Sequence, residues 1–288
     1  MKYPISIIQH PVNLPHQLMI QPGQHFHLCI LIPCYNNLEG LRRSLQSIQY
    51  DEGKFLVLVV DDGSKQPFTE PDISQTNVKE FPVHILRLEE NNGIATALNA
   101  GLQWIKSNII CGYIARLDCG DLCDPLRFHI QLDYLRVNPY VGLLGSWCLF
   151  KKKNEDFQYK YKTPQHHGSI VRAMHFRNVF IHPTVIFRFD LVEKLGFYPT
   201  GYPHAEDYAL FWEMVNSAQT AIIPAYLVVC ELNASGISSL NRIKQLRSRQ
   251  VIVRKFGHTF ALKMLGILKI SILMKVPYSF VLSVKKLM

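Results

Sequence analysis

Three acidic groups in the 288-residue sequence have the types and spacing that can do chemistry. Asp61-Asp62-Gly63-Ser64 directly follows the apolar run Phe55-Leu56-Val57-Leu58-Val59-Val60, and Asp118 and Asp121 directly follow Tyr113-Ile114-Ala115-Arg116-Leu117. Turn chemistry alone would place Asp and Gly at the end of a strand. Two such loops at equivalent ends of neighbouring strands also group carboxylates whose hard oxygens can hold a divalent cation, and that cation can hold a diphosphate. The third group, Glu206-Asp207, opens the stripe Tyr208, Phe211, Trp212 and Val215. The helix dipole favours acid there by about 0.3–1 kcal/mol. The same position also suits a general base.

The elements that must position these groups show as periodicities. Leu28-Cys29-Ile30-Leu31-Ile32-Pro33 has the length of a strand, and Leu38, Leu41, Leu45 and Ile48 follow at helical spacing. His84-Ile85-Leu86-Arg87-Leu88 predicts a further strand, and Ile94, Ala97, Leu98, Gly101, Leu102 and Ile105 a further helix. Pro125 suits the first turn of another helix, and His182-Pro183-Thr184-Val185-Ile186-Phe187 reads as a loop running into a strand. Strand and helix alternating at this pace predict an α/β domain whose mostly parallel sheet is flanked by helices. Ligands of open α/β sheets bind beyond the carboxyl ends of the strands, where both acidic loops fall. The chain divides into a proline-bearing lead-in over 1–27, one domain over 28–240 and a basic, helical tail over 241–288.

Hydrophobic residues make up 48% and charged residues 18%, a globular composition that excludes disorder and collagen-like repeats. The net charge of +9 belongs to the tail: eleven of the 31 Lys and Arg and none of the 22 Asp and Glu lie in residues 241–288. A basic nucleic-acid-binding protein is the rival class this charge suggests. The near-neutral body and the lack of a binding motif argue against it, so no nucleic acid is expected. The seven cysteines are irregularly spaced, which favours a reducing compartment over a disulfide framework. The opening MKYPISIIQHPVNLPHQ lacks the apolar core of a secretory signal. Within the tail, 241–256 reads as a helix. The apolar stretch from Phe256 to Val284 carries Lys263, Lys269 and Lys275 at a period of six, about 120° apart around a helix. It is neither a clean amphipathic stripe nor a good membrane span, since Pro277 interrupts it and a mid-span lysine costs ~2.5–3.5 kcal/mol. It can pack on the body and close the acceptor side, or lie on an anionic membrane surface; the acid-free charge favours the membrane.

Read in order, a further series of motifs emerges. Ile32-Pro33-Cys34-Tyr35-Asn36, Val59-Val60-Asp61-Asp62-Gly63-Ser64, the stretch Asn91 to Gly101, Ala115-Arg116-Leu117-Asp118, His182-Pro183-Thr184 and Ala205-Glu206-Asp207-Tyr208 follow one another along the chain. Together they resemble family 2 of the inverting glycosyltransferases, with the GT-A fold and its Rossmann-like central sheet, over roughly residues 28 to 230. The resemblance implies that Pro33, Tyr35 and Asn36 line a nucleotide pocket. It implies that Asp62 accepts from the nucleobase, Asp61 shapes that loop, Gly93 allows close backbone approach, and Arg116 sits beside the ribose–diphosphate end. Asp118 then belongs to the metal and sugar region. Asp207 is the implied catalytic base, with adjacent Glu206 structural or acceptor-binding.

One departure stands out. The family's second D-x-D carboxylate falls at Gly120, with Asp121 one place later. Asp118 and Asp121 then share a Mn²⁺ or Mg²⁺ ion, or the ion is held more weakly. His182 is either a further ligand or a structural histidine. The absence of a Q-x-x-R-W motif argues against a processive synthase. The implied activity is transfer of one sugar from a nucleotide-sugar, with UDP the favoured nucleotide, to a hydroxyl of a glycan or glycolipid acceptor. Bacterial lipopolysaccharide, O-antigen or capsule synthesis is the implied setting, in the cytoplasm and peripheral at the inner face of the cell membrane. A polyprenyl-phosphate sugar transferase is the rival within the same chemistry.

Overall fold

The computed structural model describes residues 20–69, 72, 81–152, 158–232 and 241–276. Most of the lead-in, part of the charged turn after Lys152, and Pro277 with the end of the tail lie outside the described residues. The chain runs β1 (Gln24–Cys34), α1 (Leu38–Ser47), β2 (Phe55–Asp61), β3 (Val83–Arg87), α2 (Ile94–Asn108) and β4 (Ile109–Arg116). It continues through β5 (Leu122–Cys123), α3 (Arg127–Val137), β6 (Val141–Lys152), β7 (Gln158–Tyr161) and α4 (His167–Met174). A 3₁₀ turn (His182–Thr184), β8 (Ile186–Arg188), α5 (Phe189–Leu195), α6 (Glu206–Ser217) and β9 (Gln219–Leu232) complete the body, and α7 (Arg242–Phe256) and α8 (Phe260–Lys275) form the tail.

The strands form one sheet in the order β3-β2-β1-β4-β8-β6-β9-β5, with β7 on β6. The β3-β2-β1-β4 half is parallel throughout, and so is the long β6–β9 pairing. β8, β7 and β5 are added antiparallel. The sheet is covered on both faces, which is why its strands read as unbroken apolar runs. All of β2 is buried. In β1, Leu28, Ile30 and Ile32 pack with α1 and α3 on one side, while Cys29 and Leu31 pack with α2 and α6 on the other. The stripe predicted for α6 is the buried one: Tyr208, Phe211, Trp212 and Val215 all lie in the core. Burying side chains of that size contributes about 1.5–3 kcal/mol each. The α3 helix starts two residues after Pro125, with Leu126 at its cap.

Both described helices of the tail pack against the rest of the chain, and one side of the second stays open. α7 joins the body's core through Leu246, Ile252 and Val253. Its polar side chains close the joint: Gln245 Nε2 donates to the His204 carbonyl at 2.9 Å and Ser248 Oγ to that of Pro203 at 2.9 Å. α8 folds back along α7, burying Gly266 and Ile270, and Gln250 Nε2 meets Ser271 Oγ at 2.9 Å. The outer side of α8 faces solvent instead. Phe260, Met264, Leu265, Leu268 and Ile272 are each at least 50% exposed. So α8 lacks a clean amphipathic stripe because both of its sides are apolar. Among the described residues no helix is long and apolar enough to cross a membrane.

Candidate active site

The carboxyl ends of β1 and β2 are laced together by backbone-directed hydrogen bonds. Asn36, held at φ +50°, receives Lys65 N on its Oδ1 at 2.9 Å, and its own N–H meets Ser64 Oγ at 2.8 Å. Asp61 is fully buried; Oδ1 accepts from Ser64 N at 2.9 Å and Oδ2 from Arg87, whose other nitrogen reaches the Ser64 carbonyl. These bonds tie the loop after β2 to the end of β3. Gly63 is required by close approach: at φ +70°, a Cβ there would lie 2.3 Å from the Glu90 carbonyl carbon.

Asp62 joins this lacing rather than standing free in the pocket. Its oxygens accept from Asn92 N and Gly93 N, each at 3.0 Å. Burial pushes its carboxyl up, and the two amides pull against that rise. Tyr35 is 45% exposed at the rim, beside the half-buried Pro33. Pro33, Tyr35, Asn36, Asp61, Asp62 and Gly93 therefore do come together, on adjacent loops.

The second acidic loop is pinned from below. Ser44 Oγ of α1 accepts from Gly120 N at 2.9 Å and donates to the Asp121 carbonyl at 2.8 Å. Gly120 sits at φ +107°, a conformation side chains avoid, so this turn cannot carry the family's second carboxylate there without strain. Asp121 is turned inward: its Oδ1 accepts from Glu231 N at 2.8 Å, and burial with the charge of Asp118 pushes it up to about 8.

Arg116 is fully buried, behind the pocket rather than in it. It donates to the Leu31 carbonyl, to Asp118 Oδ1 at 2.8 Å and to His182 Nε2 at 3.3 Å. A guanidinium can only donate, so His182 Nε2 is the acceptor and the imidazole is neutral. Burial and Arg116 hold His182 well below its ordinary range. Tyr198 hydroxyl meets the same nitrogen at 2.8 Å. Arg127, also fully buried, braces the loop through the Arg116 carbonyl at 2.8 Å and Gln131 at 3.0 Å.

Asp118, Asp121 and His182 thus do not form a ready ligand set; among the described residues no cluster of three or more His, Cys, Asp and Glu could hold an ion. Asp118 alone stays available, its side chain 35% exposed and oriented by Arg116. That donor set fits a Mg²⁺ or Mn²⁺ ion bound through one carboxylate and completed by substrate phosphates.

The third group lies across the site. Asp207 Oδ2 accepts from Asn178 Nδ2 at 2.9 Å and Oδ1 from Tyr208 N at 2.7 Å. The dipole at the start of α6 favours an ionised carboxylate. Burial outweighs the dipole: with adjacent Glu206 adding repulsion, Asp207 is pushed up to about 7. Asp118 contributes to the same rise, so the two carboxylates feel one another across the site. Burial also raises Glu206. Sequence reasoning missed Asn178, Arg127, Arg87 and Tyr198. Arg87, at the end of a predicted strand, had a positional signal; the other three had none.

A sheet of this order, with acidic loops at the carboxyl ends of parallel strands facing a poised carboxylate, defines a glycosyltransferase of the GT-A type. The chain belongs to glycosyl transferase family 2, whose profile matches residues 29–196. It is 28% identical over 248 residues to the amylovoran biosynthesis glycosyltransferase AmsE of Erwinia amylovora, covering 83% of this chain and 88% of that one. It is 31% identical over 135 residues to the UDP-Gal:alpha-D-GlcNAc-diphosphoundecaprenol beta-1,3-galactosyltransferase of Escherichia coli, covering 47% of this chain and 46% of that one. Its fold is similar to that of the mannosyltransferase PcManGT of Pyrobaculum calidifontis solved with GDP-Man and Mn²⁺, with a TM-score of 0.58 at 19% identity over 87% of this chain and 71% of that one.

Proposed function

We propose that this glycosyltransferase moves one sugar, with inversion, from a nucleotide-sugar to a hydroxyl of a lipid-linked glycan in the assembly of a bacterial surface polysaccharide. The observation that carries this reading is Asp207: a carboxylate held by Asn178, facing the Asp118 loop, and poised near neutral pH where a general base works best. Asp207 takes the proton of the acceptor hydroxyl as that oxygen bonds to the anomeric carbon. The bond from that carbon to the diphosphate breaks, and its electron pair leaves with the nucleotide. One displacement inverts the centre, so no enzyme nucleophile is needed. Asp118 would hold a divalent ion, which when bound would supply neutralisation of the charge on the leaving diphosphate. Glu206, whose charge adds to the rise at Asp207, is structural or binds the acceptor.

UDP is the favoured nucleotide, since the Escherichia coli relative is named for UDP-Gal. A phosphate acceptor is already ionised and needs no base, so the poised Asp207 favours a hydroxyl acceptor over a polyprenyl phosphate. The exposed apolar side of α8, in a tail without acids, suits the surface of an anionic membrane at its cytoplasmic face.

The test uses water as acceptor. With α-linked UDP-sugars, proton NMR should show the β anomer of the released sugar before mutarotation. The α anomer appearing first would exclude single displacement.

A further inference from the structure

Three cations, Arg177, Arg249 and Lys269, lie around the segment that holds Asp207, and the charge of Arg249 works to lower that carboxyl. The segment 176–178 is their pivot. The Lys269 ammonium of α8 lies 5.8 Å from the Phe176 ring centre. The Arg177 guanidinium lies 5.2 Å over the Tyr161 ring and donates to its hydroxyl at 2.9 Å. Asn178, next in sequence, holds Asp207. From α7, the Arg249 guanidinium lies 5.6 Å over the ring of Tyr208, the residue after the base. Its Nε is buried without a hydrogen-bond partner. Among the described residues none of these three cations forms an ion pair.

Their arrangement works against the isolated protein. Arg177 and Arg249 are half-buried, where cations cost free energy unless an anion compensates them, and Lys269 stands exposed on α8. Burial, then Arg249 and Arg177, hold the Lys269 ammonium below its ordinary range, so the three feel one another's repulsion. Two arginines with a lysine form a donor set suited to phosphate oxygens. Lys269 also stands within the exposed apolar stripe, between Leu265, Leu268 and Ile272. The cations thus lie where the base and the uncovered apolar side of α8 meet.

We propose that Arg177, Arg249 and Lys269 form the phosphate subsite for a lipid-linked acceptor, gripping the diphosphate that joins the acceptor sugar to its lipid. The hydrocarbon then runs along the outer side of α8, and the sugar nearest the lipid turns its hydroxyl to Asp207. The proposal rests on the reading of Asp207 as the base of a sugar transfer.

The probes are farnesyl diphosphate, farnesol and inorganic pyrophosphate, each titrated calorimetrically into the full chain saturated with UDP so that the donor loops are filled. Farnesyl diphosphate should bind at least tenfold more tightly than either of the others. Lys269→Gln, an exposed change that leaves the core intact, should weaken it by about tenfold or more, the scale of a lost charge-assisted contact. Arg249→Gln should do the same, while farnesol binding and UDP affinity stay at their wild-type values. Wild-type affinity in Lys269→Gln, or farnesyl diphosphate binding that disappears once UDP is present, overturns the subsite. Pyrophosphate binding as tightly as farnesyl diphosphate overturns the lipid source and leaves a free-phosphate site. A wild-type chain that binds farnesyl diphosphate through these residues but takes up no UDP or UDP-sugar overturns the transferase reading instead.

Discussion

The side of the site proposed to take the donor is held by backbone amides on loops that are neighbours in the sheet, whereas the side proposed to take the acceptor is held by side chains from elements far apart in the chain. Asn36, Ser64, Asp61, Asp62, Asn92 and Gly93 interlock across two parallel strands and the start of α2. Across the site, Asp207 from α6 depends on Asn178, which follows α4, and Arg249 from α7 covers the next ring. The first arrangement is local and densely hydrogen-bonded, suited to a ligand part shared by many reactions. The second can change residue by residue without disturbing the sheet, which suits the part of a site that sets acceptor preference.

Damage on the proposed donor side should cost both fold and nucleotide. Asp62→Ala removes the carboxylate that satisfies two backbone amides. It should lower stability by about 1–3 kcal/mol, as when buried donors are left unpaired, and weaken UDP binding tenfold or more. A thermal melt and a UDP titration read both. A variant that loses neither would place Asp62 outside the donor machinery.

The acceptor side and tail should tolerate change with the fold intact. Leu265→Glu with Leu268→Glu puts acid on the exposed side of α8. Sedimentation with vesicles containing anionic lipid should fall by tenfold or more, with an unchanged melt and unchanged UDP affinity. Wild-type protein that ignores such vesicles at low salt would remove the membrane reading.

A smaller effect separates the two acidic groups of the donor side. Gly120→Asp restores the family's second carboxylate at φ +107°, so it should cost roughly 1–2 kcal/mol of stability and gain no Mn²⁺ affinity. Tighter Mn²⁺ binding in a fully stable variant would show that the turn does accept a ligand there.

The subtlest effect lies on the base. Turnover needs ionised Asp207, so it should rise with pH through about 7 and level off above. Asn178 donates to Asp207 and so favours its ionised form. Asn178→Ala should therefore move the rising limb to higher pH. A limb that stays put or moves to lower pH would remove Asn178 as a positioning residue.

The same contrast explains what the sequence showed. Buried parallel strands write themselves as apolar runs, and the loops after them carry turn residues, so β1, β2, β4 and the loops after β1 and β2 were legible. Periodicity likewise located α2 and α6. The inward turn of Asp121 was not legible, because it depends on Glu231, whose backbone amide reaches it from β9. Nor was the retreat of Arg116 into the core, which needs His182 and the Leu31 carbonyl to converge on it. In the tail, composition gave the charge but could not tell α7, packed on His204 and Pro203, from the open side of α8. Nor did the helical reading of 241–256 separate Leu246, Ile252 and Val253, which are buried, from Ile243, which is 40% exposed. Such errors arise where contact partners are distant in sequence.

The central claim is that nucleotide binding and proton transfer reside on opposite sides of one site, the second at Asp207. It is tested most directly by measuring UDP affinity and single-turnover consumption of a UDP-sugar on Asp207→Asn and Glu206→Gln together. Asp207→Asn, nearly isosteric but unable to take a proton, should lose roughly 10²–10⁴-fold in turnover while holding UDP as wild type does; Glu206→Gln should keep most of its turnover. A full-speed Asp207→Asn beside a dead Glu206→Gln would assign the base to the wrong carboxylate, and two full-speed variants would contradict the account.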